Sequence, residues 1–111
     1  MALKEKRDGD VVILYPKDYL MGGTETDELD KRISELAESG NTVLVINLQD
    51  TRHLNSTAIG VLIKAHSNYT KRGGAVRLCR VDKNIKNIFV ITKLAMVFEV
   101  FETEEQAIAG G

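Results

Sequence analysis

The chain has 111 residues, of which 43% are hydrophobic and 28% are charged, and its formal net charge is −1. This length is typical of one domain with one core, so residues 1–111 are interpreted as a single domain. A net charge so close to zero argues against a nucleic-acid-binding protein. The apolar runs are far shorter than the ~20 residues that cross a bilayer, so no membrane partner is expected.

The single cysteine, Cys79, lies in an apolar stretch, and the chain has no second thiol for an internal disulfide. Cys79 is therefore predicted to be a core residue rather than a nucleophile. Residues Met1–Arg7 lack the apolar segment of a signal peptide. Together these features predict a protein of the reducing cytoplasm.

The charged residues are unevenly placed along the chain. Seven acids and two bases lie between Asp18 and Glu38, whereas eight bases and one acid lie between Lys64 and Lys93. Two interpretations stay open. In the first, the charged residues form the solvated faces of surface helices. In the second, surface patches of opposite sign steer a charged partner toward the protein.

The N-terminal residues predict a β-hairpin. Leu3–Arg7 and Val11–Tyr15 are candidate strands, and Asp8-Gly9 between them is a turn signal. Pro16–Gly23 is predicted to be a loop.

A helix and a buried strand are predicted next. Thr24 is expected to open the helix, because Thr24-Glu25-Thr26-Asp27 approximates a capping box and acids favour the positive end of the helix dipole. Gly40 is a good C-terminal stop. Thr42–Leu48 reads TVLVINL, which is typical of a central strand covered on both faces.

A second helix is predicted over Ser56–Lys71, after a polar connection at Gln49–Asn55, and Gly73-Gly74 ends it. Its apolar residues at helical spacing are expected to face the core: Ala58, Ile59, Leu62, Ile63 and Ala65. Ala75–Val81 is the next predicted strand.

The C-terminal part predicts two more helices and a short strand. Asp82 is expected to cap a helix with Ile85, Ile88 and Phe89 on one side. A strand is expected near Val97–Phe101. Thr103-Glu104-Glu105-Gln106 matches a capping box that opens a final short helix.

The order of these elements predicts the fold class. Strands that alternate with helices indicate an α/β fold in which right-handed crossovers build a parallel sheet. The opening hairpin adds an antiparallel strand. The expected architecture is a mixed, mostly parallel sheet of four to five strands with about four helices.

Catalytic and cofactor patterns are weak. His53 and His66 lack the spacing of a metal site, and the glycine pairs match neither a dinucleotide-binding fingerprint nor a P-loop. A Ser56–His53 pair would need a third orienting group and an oxyanion hole, and the Gly-x-Ser-x-Gly pattern is absent. The sequence therefore predicts no metal, no other cofactor and no enzymatic activity.

The most informative segment joins the third predicted strand to the second helix and reads Asn55-Ser56-Thr57-Ala58-Ile59-Gly60. Asn55 or Ser56 can cap the helix by satisfying backbone N–H groups that lack partners. A hydroxyl in the first turn also suits phosphorylation, because free N–H groups and the helix dipole stabilise the added anion. The segment thus indicates a capped helix and, as a second interpretation, a phosphorylation switch.

Nearly the whole chain, and most clearly the part after residue 48, resembles the STAS domain of anti-sigma-factor antagonists. The junction of that family typically reads Asp-Ser-Ser/Thr-Gly-Leu-Gly after an apolar residue, and here Asn55–Gly60 follows Leu54. The Gly-Gly turn before a strand, the helix opened by Asp82, and Leu94 leading to an apolar strand and a Glu-rich final helix also match.

The resemblance implies a STAS fold and a partner-switching function. In the family, the serine that matches Ser56 is phosphorylated by a partner that is both a serine kinase and an anti-sigma factor. The unphosphorylated domain binds that partner and frees the sigma factor, and a PP2C-type phosphatase removes the phosphate. Ser56 is therefore the expected acceptor, with Thr57 as the alternative. The expected partner-binding residues are Asn55, Ser56, Thr57, Gly22 and Gly23.

Three positions depart from the family pattern. Asn55 stands where Asp is usual, which keeps the helix cap but removes a charge. Gly22-Gly23 lies near the place of a common Asp, and Ala58 replaces a glycine. Two other functions stay open: a STAS docking module of a transporter or sensory complex that is not phosphorylated, and a small α/β enzyme.

Overall fold

The computed structural model describes residues 3–17 and 19–110 and confirms the mixed α/β fold. In chain order its elements are β1 (Lys4–Asp8), β2 (Val11–Tyr15), β3 (Tyr19–Leu20), α1 (Thr24–Glu38), β4 (Val43–Asn47), β5 (His53–Leu54), α2 (Ser56–Lys71), β6 (Ala75–Cys79), α3 (Lys83–Ile91), a 3-10 turn (Leu94–Met96), β7 (Glu99–Phe101) and α4 (Glu104–Ala109).

Five strands form the main sheet in the order β1-β2-β4-β6-β7. β1 and β2 pair antiparallel, as the hairpin prediction requires, whereas β2–β4, β4–β6 and β6–β7 pair parallel. β3 and β5 form a separate two-stranded parallel sheet. All parallel strands of the main sheet therefore end at one edge, where the connections to α1, α2, α3 and α4 begin.

The two faces of the sheet are covered unequally. The larger core joins the sheet to α1, α2 and α3 through side chains such as Leu29, Leu62 and Phe89. The smaller core on the other face contains Ile13, Val45, Cys79 and Ala107 and is closed by α4. Cys79 is fully buried, which confirms its prediction as a core residue.

Several predicted boundaries were wrong by a few residues. The first strand is Lys4–Asp8 rather than Leu3–Arg7, and the strand predicted over Ala75–Val81 ends at Cys79. The last strand begins only at Glu99, because the 3-10 turn occupies Leu94–Met96. The buried strand is Val43–Asn47, one residue shorter at each end than predicted.

Two predicted connections contain strands that sequence patterns did not reveal. β3 lies within the loop predicted over Pro16–Gly23, and β5 lies within the connection predicted over Gln49–Asn55. Each has two residues, too few for a hydrophobic period to be recognised. The predicted loop also includes Asp18, which lies outside the described residues.

Glu104, at the start of α4, joins three elements through a polar cluster. Its carboxylate accepts hydrogen bonds from the Tyr15 hydroxyl and from the Asn47 amide at 3.0 Å, and it lies 3.4 Å from the Lys6 ammonium. Burial raises the pKa of this carboxyl, but the hydrogen bonds and the Lys6 charge outweigh burial, so the net pKa lies below the ordinary 4.5.

A lowered pKa in the folded state means that ionised Glu104 stabilises the fold above pH ~4.5 and that this contribution is lost as the pH falls through the lowered pKa. Glu104→Gln keeps the acceptor oxygen but cannot ionise. We therefore expect urea unfolding midpoints to fall less between about pH 6 and pH 3 in this variant than in the wild type. An equal fall in both proteins would contradict the assignment.

Gly74 is required by close packing between two backbone segments. A Cβ at this position would lie 2.3 Å from the carbonyl oxygen of Thr42, which accepts a hydrogen bond from the N–H of Ala75. The Thr42 carbonyl belongs to the backbone and cannot move aside as the end of a flexible side chain can.

Gly74→Ala is therefore expected to lower the free energy of unfolding by about 1–3 kcal/mol, measured by chemical denaturation. Gly60→Ala is the matched control, since nothing lies within 4 Å of its Cβ and alanine favours a helix interior. The control is expected to unfold at an equal or higher denaturant concentration. Equal loss in both variants would refute the packing argument.

Candidate functional site

The candidate site is the junction at which β5 leads into α2. β5 pairs parallel with β3 in the register Tyr19↔His53 and Leu20↔Leu54. The backbone N–H of Asn55 then donates to the carbonyl of Leu20 at 3.1 Å. The small sheet therefore holds the segment before α1 against the start of α2.

Thr51 fixes the same two segments from the buried side, and sequence reasoning missed it. Its side chain is fully buried, and its hydroxyl lies 3.0 Å from the carbonyl of Pro16 and 3.1 Å from that of Lys17. A single threonine in a polar connection carries no signal of burial, because its partners lie 34 and 35 residues away in the chain.

Asn55 is the N-cap of α2, which decides between the two capping residues considered from sequence. Its side-chain oxygen accepts a hydrogen bond from the N–H of Ala58 at 3.1 Å, while its carbonyl accepts one from the N–H of Ile59 at 3.0 Å. Ser56 is thus the first residue of the helix. The Ser56 hydroxyl therefore takes no part in capping α2.

Ser56 and Thr57 are both exposed, but their surroundings differ. A Cβ placed on Gly22 would lie 3.4 Å from the Cβ of Thr57 and 3.5 Å from the Asn55 amide nitrogen. Gly22, whose φ is +86°, therefore packs beside Thr57, and the three nearest atoms to such a Cβ belong to Thr57 and Asn55. The first turn of α2 also contains no acidic residue.

Gly22 and Gly23 lead directly into α1. Gly23 is the N-cap and makes no side-chain capping bond, so the capping box predicted from Thr24 and Asp27 was wrong. Instead, the hydroxyl of buried Thr26 accepts a hydrogen bond from the N–H of Gly22 at 2.9 Å. The structure thus brings three of the five predicted partner-binding residues together, namely Gly22, Asn55 and Thr57. Ser56 lies between Asn55 and Thr57 in the chain, and Gly23 follows Gly22.

Apolar side chains are exposed on the same part of the surface. Met21, which precedes Gly22, is 53% exposed, and Ile63 on α2 is 40% exposed. Ile63 was predicted to face the core, and that was wrong, because the buried face of α2 consists of Ala58, Leu62, Ala65 and Tyr69. Ser56, Gly60 and Ile63 follow one another at helical spacing along the opposite face.

The residues considered for catalysis or metal binding are placed apart from one another. His66 is half-buried and packs edge-on against Phe98, with ring centroids 6.1 Å apart. Burial raises the pKa of the Cys79 thiol to about 12, so it is a poor nucleophile at neutral pH. His53 is exposed in β5. Within residues 3–17 and 19–110, no three His, Cys, Asp or Glu side chains form a group that could hold a metal ion.

This fold and junction place the chain in a defined class of small α/β domains. The family model described as the STAS domain matches residues 2–107, and the chain belongs to that family. A protein of Thermotoga neapolitana named as an anti-sigma factor antagonist is 25% identical over 101 residues, which cover 89% of this chain and 88% of that protein.

Solved structures have the same fold. A crystal structure of a Thermotoga maritima protein that is named as an anti-sigma factor antagonist superposes with a TM-score of 0.90 at 21% identity, covering 97% of this chain and 92% of that one. The phosphorylated form of the Bacillus protein SpoIIAA gives 0.77 at 17% identity, covering 98% of each chain. A sulfate transporter family protein of Wolinella succinogenes gives 0.79 at 17% identity, covering 93% and 85%.

In the described part of the chain, no helix is both long and apolar enough to span a bilayer.

Asn55→Ala is expected to lower the free energy of unfolding by about 1 kcal/mol, because the N–H of Ala58 loses its acceptor. Asn55→Asp is the matched control, since a carboxylate oxygen can accept the same bond. Thermal or chemical unfolding checks both variants. If both lost the same stability, the cap would not be the role of this side chain.

Proposed function

We propose that this protein is an anti-sigma-factor antagonist that binds an anti-sigma factor with serine kinase activity and is switched off by phosphorylation of Ser56. In this proposal the unphosphorylated domain docks through the junction and frees the sigma factor, and a PP2C-type phosphatase restores the docking state. The protein acts as a binding module of the cytoplasm, not as an enzyme. The observation that carries the proposal is an exposed serine at the first position of a helix capped by its neighbour.

Ser56 is favoured over Thr57 by packing. A Cβ at Gly22 would lie within 3.5 Å of the Cβ and methyl group of Thr57, so the Gly22 segment flanks Thr57 and lies beside any kinase that surrounds its hydroxyl. Ser56 projects from the same turn without a bond to the cap, which Asn55 provides. Phosphorylation of Ser56 can therefore proceed without unfolding the start of α2.

The local electrostatics also favour an added phosphate at this position. The N-terminal turn of a helix stabilises an anion through its dipole and free N–H groups, and α2 has no acidic residue there to oppose one. The first turn of α1, by contrast, already carries Glu25 and Asp27.

Phosphorylation would oppose docking through desolvation. The phosphate adds about −1.5 to −2 charges next to a surface that exposes Met21, Gly60 and Ile63. A partner that covers these groups must remove water from the phosphate, and an unpaired buried charge is costly. The domain itself keeps its fold, so the modification acts as a switch of affinity.

The test compares three variants in their affinity for the anti-sigma kinase, measured by calorimetry. Ser56→Asp is expected to weaken binding at least about tenfold, which corresponds to ~1.4 kcal/mol, whereas Ser56→Ala is expected to bind as the wild type does. Ser67→Asp is the matched control, because Ser67 is an exposed serine on the same face of α2, about three turns further along. Equal affinity of Ser56→Asp and wild type would contradict the switch.

A second candidate is a STAS docking module that binds one partner permanently. The likeness to the fold of a sulfate transporter family protein favours it, as does the replacement of the usual Asp by Asn55. This candidate predicts that no serine kinase modifies the protein and that Ser56→Ala and wild type stay bound under all conditions.

A further inference from the structure

The carboxyl ends of β6 and β7 border a crevice that the proposed switch does not use. These strands are parallel neighbours, but the chain leaves them toward opposite faces of the sheet. After β6 it leads to α3, which packs in the larger core, and after β7 it leads to α4, which packs in the smaller core. Diverging connections of this kind open the crevices in which α/β proteins bind ligands.

Two open cavities adjoin in this crevice, of about 330 Å³ and about 370 Å³. Gln49 and Arg80 line both of them. The charged residues of the first are Arg52, Arg80, Lys86, Asp82 and Glu102, and those of the second are Lys4, Lys6, Arg80, Glu104 and Glu105, so cations outnumber carboxylates by one in each. Each volume lies within the range of small-molecule sites and exceeds what a few waters need.

The cations of the crevice are only partly neutralised. Lys6 lies 3.4 Å from Glu104, and Lys86 lies 3.5 Å from Glu102. Across residues 3–17 and 19–110, by contrast, neither Arg52 nor Arg80 forms an ion pair or a side-chain hydrogen bond. Two guanidinium groups therefore line the first cavity with their donors available.

The backbone of Arg80 is a second, independent observation. Its φ is +56°, in the left-handed region that favours glycine, and only Lys93 among the other described non-glycine residues has a positive φ. A glycine would fit this turn with less strain. Strained residues of this kind concentrate at functional sites, where the side chain rather than the backbone is required.

We propose that this crevice binds a phosphate group, free or as the end of a small ester, between the side chains of Arg52 and Arg80. Guanidinium groups match the geometry of phosphate oxygens and bind them through paired, charge-assisted hydrogen bonds. Gln49 supplies an amide donor, and the second cavity provides room for the organic part of an ester. The site is separate from the Ser56 hydroxyl and does not depend on the proposed switch.

The test is a titration of the ¹⁵N-labelled full chain with inorganic phosphate and, separately, with glycerol 3-phosphate at constant ionic strength. We expect saturable NMR shifts confined to residues around Gln49, Arg52 and Arg80. Tighter binding of glycerol 3-phosphate would identify an ester as the ligand, and equal or weaker binding would identify free phosphate. The absence of saturable shifts with both probes would overturn the proposal.

Two pairs of variants make the test specific. Arg80→Gly is expected to weaken binding at least about tenfold while unfolding at an equal or higher temperature, because glycine suits the positive φ. Lys93→Gly, at the other positive-φ position, is also expected to unfold at an equal or higher temperature. Its binding of phosphate is expected to equal that of the wild type. Binding equal to wild type in Arg80→Gly would overturn the proposal.

Arg52→Gln is the second variant and does not depend on the backbone of Arg80. It is expected to weaken binding at least about tenfold, whereas Lys31→Gln, which removes an exposed cation from α1, is expected to have no effect. Equal losses in Arg52→Gln and Lys31→Gln would show a general charge effect and would also overturn the assignment.

Discussion

The hydrogen bonds of Asn55 determine where the candidate site lies and which of its groups are free. The backbone N–H of this residue bonds to Leu20, and its side chain caps α2 through Ala58. These bonds satisfy the backbone at the junction without using the hydroxyls of Ser56 and Thr57. Because the cap is supplied by the preceding residue, a modification of Ser56 can change the surface without removing a structural bond.

The topology of the sheet explains why functional groups collect at one edge. β2, β4, β6 and β7 are parallel, so the connections that follow them all begin on the same side of the domain. The connection after β4 ends at the Ser56 junction and contains Arg52, while the connections after β6 and β7 diverge around the crevice. The opposite edge consists of tight turns, such as the one in which Gly74 lies against the Thr42 carbonyl.

Long, periodic segments were predictable from the sequence, since their patterns are local. The helix over Ser56–Lys71 was predicted at its observed bounds, and the Thr103 capping box and the Asp82 cap were confirmed. The capping box at Thr24 was not formed, because Gly23 is the N-cap, Thr24 is already helical, and Thr26 rather than Asp27 bonds back to the preceding backbone, at the N–H of Gly22. Propensity alone cannot reveal such competition.

The parts of the candidate site that depend on contacts between distant segments could not be predicted. Thr51 and the β3–β5 pair join residues about 34 positions apart, and no hydrophobic period marks either. Ile63 was assigned to the core because its hydropathy is high, although the helix buries a narrower stripe than its apolar residues define. The positive φ of Arg80 is likewise imposed by the fold rather than by residue type.

The most direct test of the switch is peptide mass spectrometry of the protein isolated from its own cells, with and without treatment by a PP2C-type phosphatase. Trypsin cleavage after Arg52 and Lys64 releases the peptide 53–64, in which Ser56 and Thr57 are the only hydroxyl-bearing residues. We expect a phosphate on Ser56 in part of the molecules and its loss after phosphatase treatment. A peptide that stays unmodified across growth phases and stresses, or a phosphate found only on Thr57, would contradict it.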